Sequence, residues 1–598
     1  MDNRRLLILY GSQTGCAQEV AERIWRESKW LHYSGPVVAM DDYPIDKLIF
    51  EKKIIFVCST TGQGDQPENM KTAWKFLLRK NLPSNSLTNV EFAVLGMGDS
   101  SYVKFNHVAK KLYRRLLQLG GKPLCNIGLA DDQHDIGAFA VIDPWIDNLW
   151  TALLEKHPLP KEMVLIDRNA LPPPRWRVQI LNDDDSSSTN NKLPNADLLK
   201  TNSTTLNCLS NIRTTALNHF QDVRLIKFEY TENSLKYSPG DVLMVRPVNS
   251  ENAVNSFFEL MKENLKTELN RNSMMTVVQQ SPDMPVPYNL SKPFTLYQCA
   301  KNHWDLNIIP NRYTFQLLSY FTNSELEKEK LQELTTAEGQ EELYNYCNRP
   351  RRTILEVLSD FPHALANIPL DYLFEVFSPI RPRAFSIASA PSVHLNEIHI
   401  LVAVVRYKTK LVAKRFGLCS NWLAGLVSGD KIPAWIHKGT FKFPYSRSCN
   451  VIMIGPGTGV APFRSYVYES TTKGSGDAET LHLYFGARNR FGDFHCVNDW
   501  EKLVDDGKLT LYTAFSRDQD HKVYVQHVLN NRGQQLYKLL TSQECFVFVA
   551  GNAKDMPAAV RTEFSNVFMK YGNLDSVESE KTIEQMELKG RYQTETWS

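Results

Sequence analysis

Twice in this chain a short apolar run ends in a glycine-bearing turn that opens a helix. Leu6–Tyr10 runs into Gly11-Ser12-Gln13-Thr14-Gly15, and Val451–Ile454 runs into Gly455-Pro456-Gly457-Thr458-Gly459. Such a turn aims backbone N–H groups and the positive end of a helix dipole at one point, a seat for a phosphate. The strand–turn–helix order also implies a parallel sheet, because the chain must cross back over the sheet before it can pair again in the same direction. The two turns stand at opposite ends of a 598-residue chain. Domains hold about 100–200 residues each, so two separate α/β domains are expected, with other material between them.

The rest of the pattern agrees. In residues 1–155, Ile54–Cys58 and Val90–Leu95 read as further buried strands, and Gly15–Trp30 and Phe105–Leu119 as helices. Residues 158–174 are proline-rich and 182–205 are polar and of low complexity, so 156–205 is expected to be a flexible linker. From 206 to 446 the signals are β-rich, as in SPGDVLMVRP, but 252–375 is mostly helical (FFELMKENL, ELEKEKLQEL, RRTILEVLSDF). That order predicts a β domain carrying a helical insertion. Residues 447–598 return to βαβ alternation, with strands near Leu481–Phe485, Leu509–Ala514 and Phe546–Ala550.

Composition narrows the function. A net charge of +2 gives no general affinity for nucleic acid or anionic membrane. No run of 18 apolar residues is present, and Leu6–Tyr10 is too short for a signal-peptide core, so neither a membrane anchor nor export is expected. The 10 cysteines are scattered without a CxxC pair or a Cys/His cluster, which points to a reducing compartment and to no structural metal. A cytoplasmic location is expected, a nuclear or perinuclear pool being compatible with it.

The first phosphate turn offers the Ser12, Gln13 and Thr14 donors, a close backbone approach at Gly15, and the helix-opening Cys16 and Ala17. It has no lysine, so it suits a phosphate monoester better than a triphosphate. Taken alone, it is equally a capped helix. Two more loops follow predicted strands: Ser59-Thr60-Thr61-Gly62, and Met97-Gly98-Asp99-Ser100-Ser101-Tyr102-Val103-Lys104-Phe105-Asn106. In open α/β sheets ligands bind beyond the carboxyl ends of strands. Tyr102 suits stacking on a flat ring, and Asp132 suits accepting from a ribityl hydroxyl.

In the last domain, Gly457 and Thr458 suit a dinucleotide pyrophosphate, with Arg488 after the next strand. Ser516, Arg517, Lys522, Val523, Tyr524, Val525 and Gln526 follow another strand and can surround one dianion, which favours NADPH over NADH. Asp555 lies in the final glycine loop, Gly551-Asn552-Ala553-Lys554-Asp555.

In order and spacing these loops resemble the diflavin reductases, the family of NADPH–cytochrome P450 reductase. The resemblance implies a multidomain α/β protein with FMN, FAD and NADPH as cofactors. Its parts are a flavodoxin-like FMN domain at 1–155, the linker at 156–205, a β-barrel FAD domain with its helical insertion at 206–446, and a Rossmann-like NADP domain at 447–598. Arg383-Ala384-Phe385-Ser386 resembles the family's RxYS motif, Gly417-Leu418-Cys419-Ser420-Asn421-Trp422 its second FAD loop, and Arg351 another FAD-contacting arginine. Trp597 matches the aromatic that covers the flavin, and Ser386, Glu595 and Trp597 are the implied catalytic residues. This chain departs from its relatives at Thr61 (an aromatic in P450 reductase), Phe385 (tyrosine), Ala550 (cysteine), Ala559 (an acid) and Glu595 (aspartate). With Thr61, the FMN ring is expected to be stacked on one side only, by Tyr102. GSQTGCAQE, RAFSIAS, AGNAK and RYQTETWS are similar to the NADPH-dependent diflavin oxidoreductases of cytosolic iron–sulfur assembly. That likeness implies an iron–sulfur acceptor of the anamorsin (Dre2) type. Asp65, Glu68, Asp131, Asp132 and Asp135 would form an acidic rim for it. A reductase serving another haem or iron–sulfur acceptor, and a non-catalytic adaptor, are the alternative readings.

Overall fold

In the computed structural model the described residues are all but 1–3, 62–63, 103, 135–136, 168–169, 182–202, 232–234, 263, 265–268, 288–289, 337, 410, 412, 447–448, 475, 478, 543, 553 and 598. The chain divides into two compact units, one of residues 1–189, 251–300 and 304–379, the other of 190–250, 301–303 and 380–598.

The first unit is built on a parallel sheet. Its strands run in the order Val37–Ala39, Leu7–Gly11, Lys53–Ser59, Glu91–Gly98, Gly128–Asp131, with the short Lys122–Pro123 also along Glu91–Gly98. Alternate residues serve opposite faces. Ile8, Ile55 and Val57 pack with Val20 and Ile24 of helix Cys16–Ser28 and Ile146 of helix Phe139–Lys156. Leu7, Leu9, Ile54 and Phe56 pack with Val108 and Leu112 of helix His107–Gln118 and Trp74 of helix Lys71–Leu77. Burial on both faces is why these strands read as continuous apolar runs.

The helical insertion belongs to this unit. Helices Glu251–Leu260, Arg312–Phe321 and Ile354–Asp360 help enclose a core in which Trp304 lies 5.2 Å from Phe374, 5.3 Å from Phe377 and 5.7 Å from Phe257, ring centre to ring centre. Asn311 and Thr353 cap the second and third of these helices. One expectation is corrected here. Within the presumed linker 156–205, Trp176–Ile180 is a strand paired antiparallel with Met274–Gln279. Its side chains alternate buried (Trp176, Val178) and exposed (Arg177, Gln179), a period of two that the flanking prolines and polar tract hid. The remaining polar stretch, 182–202, lies outside the described residues.

Just before that strand, the half-buried Arg175 meets two carboxylates, of which Glu375 is buried. It donates to Glu375 through Nε at 2.9 Å, to Glu22 through Nη1 at 3.2 Å, and to the Phe374 carbonyl at 2.6 Å. Glu375 also accepts the Arg175 backbone N–H at 2.9 Å. This knot ties the sheet's first helix to the insertion.

The second unit has two sheets. One is antiparallel, in the order Arg383–Ser386, Val242–Val245, Lys431–His437, Thr204–Arg213, Asp222–Glu229, Glu397–Val404. Arg383–Ser386 pairs with Val242–Val245 although the whole insertion separates them in sequence. Ile387, next along, bridges Ile400 in the strand at the other end of that order. The other sheet is parallel: Thr510–Phe515, Leu481–Ala487, Cys449–Ile454, Glu544–Asn552, Tyr592–Trp597. Counted along the chain this is the 3-2-1-4-5 order of nucleotide-binding folds. Arg464, buried, links the two sheets. It pairs with Asp499 at 2.7 Å and donates to the Ala388 carbonyl at 2.7 Å. Among the described residues no helix is long and apolar enough to cross a membrane.

Truncating one partner of a buried ion pair typically costs about 3–5 kcal/mol. Glu375→Ala is therefore expected to lower the urea midpoint of unfolding, followed by far-ultraviolet circular dichroism. An unchanged midpoint would mean that Glu22 alone satisfies Arg175.

Candidate functional site

The first candidate seat lies at the carboxyl ends of the parallel strands of the first unit, around the point where strand order reverses. Leu7–Gly11 ends in the Ser12–Gly15 turn. Gly15 has φ 100°, a left-handed conformation that a side chain disfavours, and its N–H donates to the Ser12 hydroxyl at 2.9 Å. The helix it opens has no side-chain cap, so the first N–H groups, from Cys16 onward, are left to an outside acceptor. That is the fit expected of a phosphate. The turn is braced from the neighbouring loop: Ser12 N–H donates to Asn69 Oδ1 at 2.8 Å, and Gln13 Oε1 accepts from Glu68 N–H at 3.1 Å.

The loop after Lys53–Ser59 closes on itself, Thr61 and Asp65 exchanging backbone hydrogen bonds at 2.9 and 2.8 Å. Thr60 is engaged: its N–H donates to Met97 and its hydroxyl accepts from Val108 N–H. In the loop after Glu91–Gly98, Asp99 accepts from Ser101, Ser100 N–H donates to Asp131 at 2.8 Å, and Tyr102 is half-buried. Asp132 donates its N–H to the Gly98 carbonyl at 2.9 Å, and burial, then Asp99 and Asp131, push its carboxyl pKa up. Lys104 and Phe105 follow, exposed and half-buried.

Several expected contacts are reassigned. Asn106 is fully buried and donates to the Ala130 carbonyl at 2.9 Å, while Gly96 and Gly98 lie so close that a Cβ on either would meet its amide within 2.6–2.8 Å. Ala17 and Met97 also turn their side chains into the core. These three serve the seat through backbone or as braces. Gly62 and Val103, and Asp135 of the expected rim, lie outside the described residues.

The second unit gathers the remaining candidates except Arg351, which belongs to the first unit, exposed and at φ 57°. Arg383 and Ala384 are exposed, and Phe385 and Ser386 half-buried. Gly417 opens the Leu418–Ala424 helix without a side-chain cap, and Cys419 is buried. The Ser420 hydroxyl accepts Val405 N–H at 3.0 Å, and Asn421, in the same loop, donates to the Val405 and Gly417 carbonyls. In the parallel sheet, Gly457 and Thr458 form the turn after Cys449–Ile454, and Gly459 sits where a Cβ would come within 2.2 Å of the Ala550 carbonyl. Arg488 is exposed over the Phe220 ring, 3.9 Å from its centre. Arg517 N–H donates to the Arg488 carbonyl at 2.8 Å, so the backbones of the two loops meet at these arginines. Arg517 and Lys522 are exposed and make no ion pair among the described residues, beside the buried Ser516 and the exposed Tyr524. That arrangement fits a phosphate dianion. Gln526 is half-buried in the same segment, flanked by the buried Val525, whose side chain packs in the core; Val523 is half-buried and packs against that core, and Asp555 is exposed at its helix start.

The last strand meets the antiparallel sheet. Ala550 pairs with Glu595 across Glu544–Asn552 and Tyr592–Trp597. Glu595 Oε1 accepts from the Ser386 hydroxyl at 3.4 Å and Oε2 from the Thr440 hydroxyl at 2.7 Å. Burial raises its pKa, the hydroxyl donors opposing.

Residues 8–145 match the flavodoxin family, 198–422 the FAD binding domain and 453–562 the oxidoreductase NAD-binding domain. The chain is 44% identical to NADPH-dependent diflavin oxidoreductase 1 of Xenopus laevis over 610 residues, covering 100% of both. It is 43% identical to the protein of that name in Mus musculus (99% of each) and 35% identical to that of Schizosaccharomyces pombe (100% of each). The chain belongs to the NADPH-dependent diflavin oxidoreductase family. It is an oxidoreductase, and its cofactors are FMN, FAD and NADPH.

Two substitutions probe the nucleotide end of such an enzyme. A charge-assisted hydrogen bond is worth about 1.5–3 kcal/mol, so Arg517→Ala is expected to raise KM for NADPH roughly ten- to a hundredfold and to leave that for NADH nearly unchanged. Equal effects on both nucleotides would separate Arg517 from the 2′-phosphate. Trp597→Ala is expected to relax discrimination against NADH in steady-state assays, because no indole then competes with nicotinamide. An unchanged preference would leave Trp597 a packing residue only.

Proposed function

We propose that this enzyme passes electrons from NADPH through FAD and then FMN to a one-electron acceptor protein. We read that acceptor as an iron–sulfur protein of the anamorsin (Dre2) type, in cytoplasmic iron–sulfur cluster assembly. The observation that carries the reading is that one chain holds two unrelated flavin-type loop sets, each on its own sheet. Flavins, when bound, convert a two-electron hydride donation into single-electron release. The protein's part is to bind and orient them. The Ser12–Ala17 turn would hold the FMN phosphate, with Tyr102 on the ring. Arg383, Phe385 and the Gly417–Ser420 turn would hold FAD, on a sheet whose closure into a barrel is supported by the Ile387–Ile400 bridge.

Ser386 and Glu595 would flank the path of the hydride. Burial lets Glu595 keep its proton to higher pH than an ordinary carboxylate, with Ser386 donating to it. Trp597 lies two residues on along the same strand, so on the same face.

The acidic rim is uneven. Glu68 is neutralised by an ion pair with Lys71, and Asp132 is raised by burial and its acidic neighbours. Asp131 is pushed up by burial but held below the usual carboxylate range by donors from Ser100 and Gln133. Asp65 is exposed. Asp65, Asp131 and Asp132 would together steer a basic acceptor face, and the first two are the ones substituted in the test.

The test is reduction of a purified anamorsin-type protein by NADPH. It is expected to require this chain, to slow with rising salt, and to slow again in Asp65→Asn/Asp131→Asn. Binding without electron transfer would instead favour the adaptor. Faster reduction of a membrane P450 would overturn the acceptor while leaving the diflavin mechanism.

A further inference from the structure

Gln593, Glu595 and Trp597 alternate along the last strand and share one face. Two of the three are gripped by one short segment that no sequence motif marks. Gln593 brackets the Lys442 backbone: its Oε1 accepts the Lys442 N–H at 2.9 Å and its Nε2 donates to the Lys442 carbonyl at 3.3 Å. Two residues earlier in that segment, the Thr440 hydroxyl donates to Glu595 Oε2. The segment is itself fixed. Gly439 packs so tightly on Gly240 that a Cβ would meet its carbonyl oxygen at 1.6 Å. Phe441 stacks 5.9 Å from Phe463, Phe443 lies 4.5 Å from Phe548, and the Tyr466 hydroxyl donates to the Pro444 carbonyl at 2.6 Å.

The chemistry of a glutamate makes this grip consequential. Its side chain has one more rotatable bond than an aspartate, so a single acceptor contact with Ser386 at 3.4 Å leaves the carboxylate free to swing. Thr440, at 2.7 Å on the opposite oxygen, removes that freedom. The charges nearby are spoken for. Lys438 pairs with Asp241 at 2.7 Å, and Arg383 donates to the Arg381 and Pro382 carbonyls. Among the described residues, what acts on Glu595 is burial and the Ser386 and Thr440 donors, with no charged side chain among the causes.

We infer that Thr440 is a positioning residue for hydride transfer: it holds Glu595 by one carboxylate oxygen so that the other faces Ser386, and with Gln593 it sets the height of Trp597 on the same face. The inference rests on the reading of Ser386, Glu595 and Trp597 as the hydride-transfer site.

The experiment uses binding rather than turnover. Wild-type, Thr440→Val, Thr440→Ser and Glu595→Gln holoenzymes, loaded to equal FAD content, are titrated by calorimetry with NADP+ and with 2′,5′-ADP, which lacks the nicotinamide half. The ratio of the two affinities reports how nicotinamide is received, and its pH midpoint reports Glu595. A lost hydrogen bond corresponds to about a three- to tenfold change, expected here in the ratio for Thr440→Val with 2′,5′-ADP binding unchanged. The midpoint is expected to move to higher pH, since loss of a donor to the carboxylate favours its protonated form. Thr440→Ser restores both; Thr440→Ala carries the same test should valine disturb the loop. If Thr440→Val matches wild type while Glu595→Gln shifts the ratio and abolishes its pH midpoint, the positioning role is wrong and the reading of Glu595 stands. If Glu595→Gln also changes nothing, the reading of the site falls with it. If Thr440→Ser is as altered as Thr440→Val, the hydroxyl is not the agent and the inference is overturned.

Discussion

The last strand, Tyr592–Trp597, runs parallel to Glu544–Asn552 with Ala550 opposite Glu595 and Asn552 opposite Trp597. A slip of one residue would turn Gln593, Glu595 and Trp597 to the other face and undo every contact they make with Ser386, Thr440 and Lys442. Several features hold the register. Tyr592 is buried 5.7 Å from Phe564, and Val547 N–H donates to the Arg591 carbonyl at 2.7 Å. Ala550 is also where Gly459, in the nucleotide turn, presses closest. One backbone position thus keys together the glycine turn at Gly459, the strand Glu544–Asn552 and the strand that carries Glu595. Within the second unit, Ser386, Glu595 and Trp597, the proposed reacting groups, are set by strand pairing and not by loops free to drift.

The first unit answers a different physical need. Its loops gather at the reversal point of a sheet buried on both faces, and the side chains nearest them are mostly occupied with one another: Ser12 with Gly15, Gln13 with Glu68, Asp131 with Ser100. Such mutual bracing pre-forms a seat before a ligand arrives, which spares binding the cost of ordering it. The same unit carries the insertion, tied on through Arg175 and its two glutamates.

Much of this was legible in the sequence because phosphate turns are local. A strand, a glycine and a helix start lie within a few residues, and the turns at Gly15 and Gly457 are where the pattern puts them. The insertion's helices were legible from their spacing. What stayed hidden was of two kinds. Asn106, Met97 and Val525 sit inside expected ligand loops yet face the core, and a motif does not say which side of the backbone a residue takes. Thr440, Gln593 and Arg175 matter through partners far along the chain, which no local pattern records. The strand at Trp176 was masked by composition: prolines before it and a polar tract after it outweighed five residues of clean alternation.

Two unlike flavin seats in one chain require two unlike flavins in a fixed ratio. Heat release of the flavins from the purified protein, followed by chromatographic separation and quantitation, tests it most directly. FMN and FAD are expected in equal amounts, one of each per chain. A single flavin type at full occupancy, whichever it is, would contradict it.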